Sequence, residues 1–289
     1  MLKDCLTKAL VFDNHARLII VTSSETAETA RLTQNLWPVA SISLGKVLTG
    51  ALLMTGLEKN ISSISLRIEG GGPIGTILAT ATKNEVRGYV ENGEVHIANN
   101  DQSLNTGFAV GNNGTLTVLK EQIDRSHFTS TCEIQTGEIA EDLAYFYMQS
   151  EQTPTSVILS VTVETDNSVK SAGGILIQLL PNCPEDIISL IEERLKVFPQ
   201  LSSLLQKNQS HEQIIDLFTN GNYQLTESYP VSFYCPCTKE RFVKSLKTIP
   251  RKEIRLMIKE AKDIETVCNF CHQKHVIELE DLKKIYFRR

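Results

Sequence analysis

A chain of 289 residues, 41% apolar and 22% charged, has the balance of an ordinary globular protein and room for about two domains with a real core. Lys3, Asp4 and Asp13 interrupt the short apolar pieces of residues 1–14, so neither a signal peptide nor a membrane span is expected, and a cytoplasmic location is the default. The formal charge of −5 hides a split: residues 235–289 hold 14 Lys+Arg against 8 Asp+Glu, a net of +6, and residues 1–234 hold the other 15 against 26, a net of −11. In chain order, residues 9–12 and 17–21 flank Asp13-Asn14-His15 and predict a hairpin. Residues 41–57 predict a mostly buried helix, because Leu44, Val47, Leu48, Ala51, Leu52 and Leu53 cover more than one stripe. Short β-branched runs at 64–68, 76–81, 86–90 and 115–119, parted by Gly/Asn clusters, predict antiparallel strands. Residues 138–149 predict a second helix with acidic residues in its first turn, and longer strands at 156–164 and 174–180 follow. The fold class is α+β, with an N-terminal domain of antiparallel sheets and packed helices over residues 1–181.

Residues 182–230 are expected to form a helical linker. Pro184 suits a first helical position, Glu185 and Asp186 its first turn, and Ile187, Ile188, Ile191, Leu195 and Phe198 make one apolar stripe. Ser210 with Gln213 spells a capping box, Ile214, Ile215, Leu217 and Phe218 follow, and Gly221 suits the stop. So apolar a connector must rest on something: it is either a docked piece of core or an apolar surface that can be uncovered. Residues 231–289 form the remaining small domain, with short helices around Phe242 to Ile249 and from Pro250, then a hairpin bracketing residues 268–271.

That last segment holds Cys235-Pro236-Cys237 and, 30 residues on, Cys268-Asn269-Phe270-Cys271. Each pair can supply two thiolates from one tight turn, and the intervening helices can close a tetrahedron, so one zinc ion held by Cys235, Cys237, Cys268 and Cys271 is expected. His272 and His275 stand beside Cys271 and could substitute as ligands, but four thiolates already close the site, so both are expected as surface residues. Cys5, Cys132 and Cys183 stand alone and suit small buried or incidental positions. Residues 268–272 also match the C-x-x-C-H of haem attachment, but that reading leaves Cys235 and Cys237 without a role; a thioredoxin-like use fails because Cys268 does not open a helix. Gly70 to Gly75, Gly-Gly-Gly-Pro-Ile-Gly, lacks the Lys-Ser/Thr ending of a phosphate loop and reads as a tight connection between strands. No catalytic motif is present, and none is assigned.

A module of residues 235–289 is small enough that metal binding decides whether it folds. Oxidation can join Cys235 to Cys237 and Cys268 to Cys271 across only one or two intervening residues, and the oxidised sulfurs no longer ligate zinc. If the apolar connector leans on this module, its disorder uncovers a surface of the kind a holdase uses.

These residues resemble a known family, the 33 kDa redox-regulated heat-shock chaperonins of bacteria. Beyond the C-x-C and C-x-x-C pairs, the resemblance is carried in order by residues 70–75, by Arg87-Gly88-Tyr89-Val90, by residues 135–144 (QTGEIAEDLA), by Ser150-Glu151-Gln152-Thr153-Pro154 and by residues 172–181. It implies a reduced, zinc-loaded and inactive monomer. On oxidation it implies redox disulfides Cys235–Cys237 and Cys268–Cys271, zinc release, unfolding of switch and linker, and a homodimer that holds unfolding client proteins without ATP. Pro236 fixes the backbone in the middle of the first pair and biases Cys235 toward extended conformations. The rival readings are a zinc-ribbon nucleic-acid binder, motivated by the basic C-terminal segment, and a thiol-disulfide oxidoreductase.

Overall fold

The computed structural model describes residues 3–97, 104–260 and 262–287. The chain divides into two compact units, Met1–Tyr234 and Cys235–Arg289.

The first unit opens with the expected hairpin, β1 (Cys5–Val11) and β2 (Ala16–Thr22), whose turn places Phe12, Asp13 and Asn14 at φ of 52°, 54° and 66°. Helix α1 (Ser24–Gln34) and helix α2 (Pro38–Leu57) follow, the latter starting three residues earlier than the periodicity predicted because Pro38 occupies its first turn. Next come β3 (Ile61–Glu69), β4 (Ile77–Ala81), β5 (Glu85–Val90), the short α3 (Thr106–Val110), β6 (Thr115–Gln122) and β7 (His127–Glu133). Helix α4 (Ile139–Ser150) leads into β8 (Thr155–Val163) and β9 (Val169–Leu179). The connector contributes α5 (Glu185–Val197), α6 (Leu201–Gln206) and α7 (His211–Thr219), after which β10 (Tyr223–Pro230) and the two-residue β11 (Ser232–Phe233) close the unit. Residues 223–230, assigned to the helical linker by sequence, are therefore a strand. They complete the hydrogen bonds of β1, pairing Thr7 with Ser228 and Val11 with Tyr223.

Two sheets organise this unit. One has the order β10-β1-β2-β9-β8 and is antiparallel throughout; the other has the order β11-β5-β4-β3-β6-β7, with only β11 running parallel to its neighbour β5. Helix α2 packs on both, and all but three of its 20 residues are buried. It is the one helix among the described residues long and apolar enough to cross a membrane, and it is spent as core. Its partners on the five-stranded sheet include Leu6, Ile19, Val21 and Leu176, and on the six-stranded sheet Ile64, Leu66, Ile77, Val86 and Val118.

Alternation along the strands sends the other side chains of the five-stranded sheet outward, and these include a second apolar set: Ala9, Val11, Leu18, Ile20, Ile175 and Ile177. The connector covers them with Ile191 from α5, Leu201, Leu204 and Leu205 from α6, and Ile214, Ile215 and Phe218 from α7. Phe218 meets Phe12 and Phe198 edge-on at ring-centroid distances of 5.9 and 5.5 Å. The support that the sequence demanded for the connector is thus the second face of this sheet. The capping box at Ser210 and Gln213 is formed as read, and Asn220 in the left-handed conformation ends α7 one residue before Gly221.

The glycine run at residues 70–75 joins β3 to β4, as expected. A Cβ at Gly70 would lie 2.3 Å from the carbonyl oxygens of Val110 and Gly111, so the glycines serve close backbone packing against the end of α3.

The second unit contains α8 (Lys239–Leu246), α9 (Arg251–Glu260), the hairpin β12 (Ile264–Val267) and β13 (Lys274–Ile277), and α10 (Leu279–Phe287). Its buried side chains are few among the described residues: Ile254, Cys268, Ile277, Leu282 and Ile285.

Candidate metal centre

Cys235 and Cys237 lie in the extended segment that ends at Thr238, whose hydroxyl caps α8 by accepting from the Arg241 N–H at 3.3 Å. Cys268 follows the last residue of β12, and Cys271 sits in the turn before β13. That turn is closed by the Cys268 N–H donating to the Gln273 carbonyl at 3.0 Å and the His272 N–H donating to the Cys268 carbonyl at 2.8 Å, with His272 in the left-handed region at φ 52°. A tight turn of this kind aims both of its sulfurs to one side, as zinc knuckles do.

The four Sγ atoms lie within 4.8 Å of one another. Cys235 approaches Cys268 at 3.7 Å and Cys237 approaches Cys271 at 3.2 Å, so each close contact joins one pair to the other. Sulfurs held about 2.3 Å from a common tetrahedral centre stand about 3.8 Å apart, so the spacing suits a zinc-sized ion with soft thiolate donors. None of the seven cysteines forms a disulfide.

Crowding shifts the acidity of three of these thiols. Burial, followed by hydrogen bonds with Cys271 and Cys268, holds the Cys235 thiol above its usual range. Burial and the neighbouring sulfurs push Cys237 up further. Cys268 is the exception: burial raises it, but the backbone N–H groups of Cys271 and Phe270, then the Cys235 and Cys271 thiols, outweigh burial and bring it down. Sulfurs that resist joint ionisation when alone become thiolates together when a cation takes the place of their protons.

Two side chains extend the centre. His275 Nε2 lies 3.4 Å from the Cys237 sulfur, its ring packed on Phe242 at a centroid distance of 4.9 Å, whereas His272 is exposed. His272 thus lies at the surface, whereas His275, expected there too, reaches a sulfur of the first pair. Its signal was weak, an i, i+4 offset from Cys271 along a hairpin strand. Lys239 pairs with Glu278 at 3.2 Å and Asp281 at 2.9 Å, tying the start of α8 to the start of α10.

The isolated cysteines lie elsewhere. Cys132 is buried, while Cys5 and Cys183 are partly exposed. Burial, then Asp142, raises the Cys132 thiol to about 11, so it stays protonated at neutral pH.

The family model described as "Hsp33 protein" matches residues 4–278. A 33 kDa chaperonin of Bacillus subtilis is 39% identical over 282 residues, covering 97% of each chain. A 33 kDa chaperonin of Desulforamulus reducens is 39% identical over 290 residues, covering 99% of this chain and 98% of its own. The crystal structure of a 33 kDa chaperonin, a heat shock protein 33 homolog from Thermotoga maritima, superposes with a TM-score of 0.90 at 30% identity and covers 99% of both chains.

Proposed function

The chain belongs to the Hsp33 family of 33 kDa chaperonins, and from that premise we propose that it is a redox-regulated, ATP-independent holdase whose four C-terminal cysteines hold one zinc ion while reduced. A chaperonin acts on client proteins and is not an enzyme, in keeping with the absence of any catalytic motif in the sequence. In this reading Cys235, Cys237, Cys268 and Cys271 are the metal ligands and also the oxidant sensor, in a cytoplasmic protein.

The observation that carries the proposal is the double apolar surface inside the first unit. The five-stranded sheet buries one face under α2 and the other under the connector helices, so release of α5, α6 and α7 would uncover the sheet face at Leu18, Ile20, Ile175 and Ile177 and also the inner side of the connector. Apolar area of that kind, hidden until needed, suits capture of unfolding chains. Residues 182–222 are accordingly the proposed releasable linker; the proposed switch, expected from sequence to begin at 231, is narrowed to 235–289, because residues 231–234 belong to the first unit, where β11 pairs with β5.

Zinc, when bound, supplies the folding energy of a unit whose own core is small. Oxidation removes the donors. The two thiolates of a pair lose two electrons to one molecule of peroxide, which takes two protons from solvent and leaves as two waters, so each disulfide consumes one peroxide. Pairing Cys235 with Cys237 and Cys268 with Cys271 closes only very short loops. Pairing across the centre would keep the fold cross-linked, whereas local pairing leaves nothing between the two turns and lets the unit unfold. The unfolded switch and uncovered connector then bind clients as a homodimer.

The test is suppression of aggregation of a thermally unfolding client enzyme, measured before and after peroxide, with Cys268→Ser as control. Suppression is expected only after oxidation, and the Cys268→Ser variant is expected not to respond to peroxide. Equal suppression by the fully reduced, zinc-loaded protein would overturn the switch and leave a structural zinc site.

A further inference from the structure

His211 is the first residue of α7, and it is 7% exposed. Its ring enters the connector-facing side of the five-stranded sheet between three strands. Nδ1 lies 2.8 Å from the Thr7 hydroxyl on β1 and Nε2 lies 2.8 Å from the Thr22 hydroxyl on β2, while Thr7 in turn lies 2.9 Å from the Ser228 hydroxyl on β10. Cys5 Sγ is 3.6 Å from Nδ1. A hydroxyl both donates and accepts, so a neutral imidazole fits with either tautomer. The ring is the polar anchor of a helix whose other contacts, through Ile214, Ile215 and Phe218, are apolar.

Among the described residues no carboxylate bonds to this ring. The titratable groups beside it are Cys5 on β1 and Glu212 on α7, which line the same small cavity with Ser210, Leu225 and Ser228. Lys8 on β1 and Glu227 on β10 pair with each other at 3.0 Å on the opposite face of the sheet. Arg17 on β2 donates to Gln178 and to the Leu57 carbonyl. Asp4, just before β1, accepts from the Glu25 and Thr26 N–H groups of α1. A proton on His211 would therefore bring an uncompensated charge into a buried site.

We propose that His211 is a proton-sensitive clasp on the connector: its protonation weakens the docking of α7 on the five-stranded sheet, so acid loosens the apolar connector while the cysteines stay reduced.

Burial pushes the His211 pKa down from the usual 6.5 to about 4. The docked state thus disfavours the proton that an undocked, solvated histidine accepts. The clasp is intact above the ordinary histidine pKa and weakens as pH falls through it toward the docked value. Between about pH 7 and about pH 5 the docked-to-undocked ratio of α7 should fall on the order of twenty-fold. Asp4 changes in the opposite sense, since burial raises its pKa to about 6 and acid favours its docked form, but it anchors α1 rather than α7.

The experiment uses the reduced, zinc-loaded full chain and reads amide hydrogen exchange in α7 at the two pH values, corrected for intrinsic exchange, with zinc content followed in parallel. Because it requires no oxidation, its outcome is independent of the redox reading. Protection in α7 should fall on the order of twenty-fold in the wild type and stay level in His211→Asn, whose amide can still reach a threonine hydroxyl. The same loss in the variant would overturn the clasp. Should that variant fold poorly, an NMR titration of the His211 ring in the wild type decides: a pKa well below the usual range supports the proposal, and an ordinary one overturns it.

Discussion

In the first unit α2 buries all but three of its 20 residues between two sheets, whereas in the second α8 buries none and α9 only Ile254. The first unit thus depends on apolar area, which an oxidant does not touch. The second has only a few buried aliphatic side chains beside a cluster of four sulfurs, so the atoms that would hold it together are also the atoms most open to oxidation. On the proposed reading, a reagent that attacks thiols would therefore unfold one part of the chain and leave the other standing. The connector lies between these extremes: its helices are amphipathic, and they cover one face of a sheet whose other face packs on α2.

The contrast can be broken most severely at the metal. Chelation under reducing conditions is expected to remove about 10 kcal/mol or more of folding free energy from residues 235–289, unfolding them while the amides of β2, β9 and α2 stay protected in hydrogen exchange. Loss of protection in both units together would erase the distinction. Next in size is Phe218→Ala, which empties the ring from between Phe12 and Phe198 and should cost about 3–5 kcal/mol of connector docking. It should raise binding of an apolar dye and of clients by the reduced protein. Leu52→Ala in α2 sharpens the same comparison: it should cost about 2–5 kcal/mol in urea unfolding of the first unit without increasing client binding by the reduced, folded protein. Smallest is Ser210→Ala, which removes the cap of α7 and should cost about 1 kcal/mol, read as faster exchange confined to that helix.

What was legible in the sequence follows the same physical division. The buried α2, most inner strands and the α7 capping box announce themselves, because burial on a regular element writes a period into the residues. The four cysteines were legible for a different reason, since metal ligation demands particular atoms at particular spacings. Elements that bury small or polar side chains were not predicted. Helix α1 turns Ser24, Thr26, Ala27 and Ala30 inward and leaves Leu32 exposed, so no apolar stripe marks it. Strand β7 lies at a sheet edge with Cys132 as its only buried residue, and β10 is a mostly exposed edge strand that reads as polar coil. Helix α10 was hidden because Leu279 also continues the alternation of β13. The resting place of the connector was not legible at all: its stripe says that it is covered, and only the second apolar face of the five-stranded sheet says by what.

One measurement bears most directly on the central claim. Reduced, zinc-loaded protein is titrated with peroxide at mildly elevated temperature, and zinc release, disulfide pairing and exchange of the α5, α6 and α7 amides are followed in the same samples. The account predicts that one zinc per chain is lost as the Cys235–Cys237 and Cys268–Cys271 disulfides form, and that connector protection falls in step. Zinc retained after both disulfides have formed, or a connector that stays protected once the zinc has gone, would contradict it.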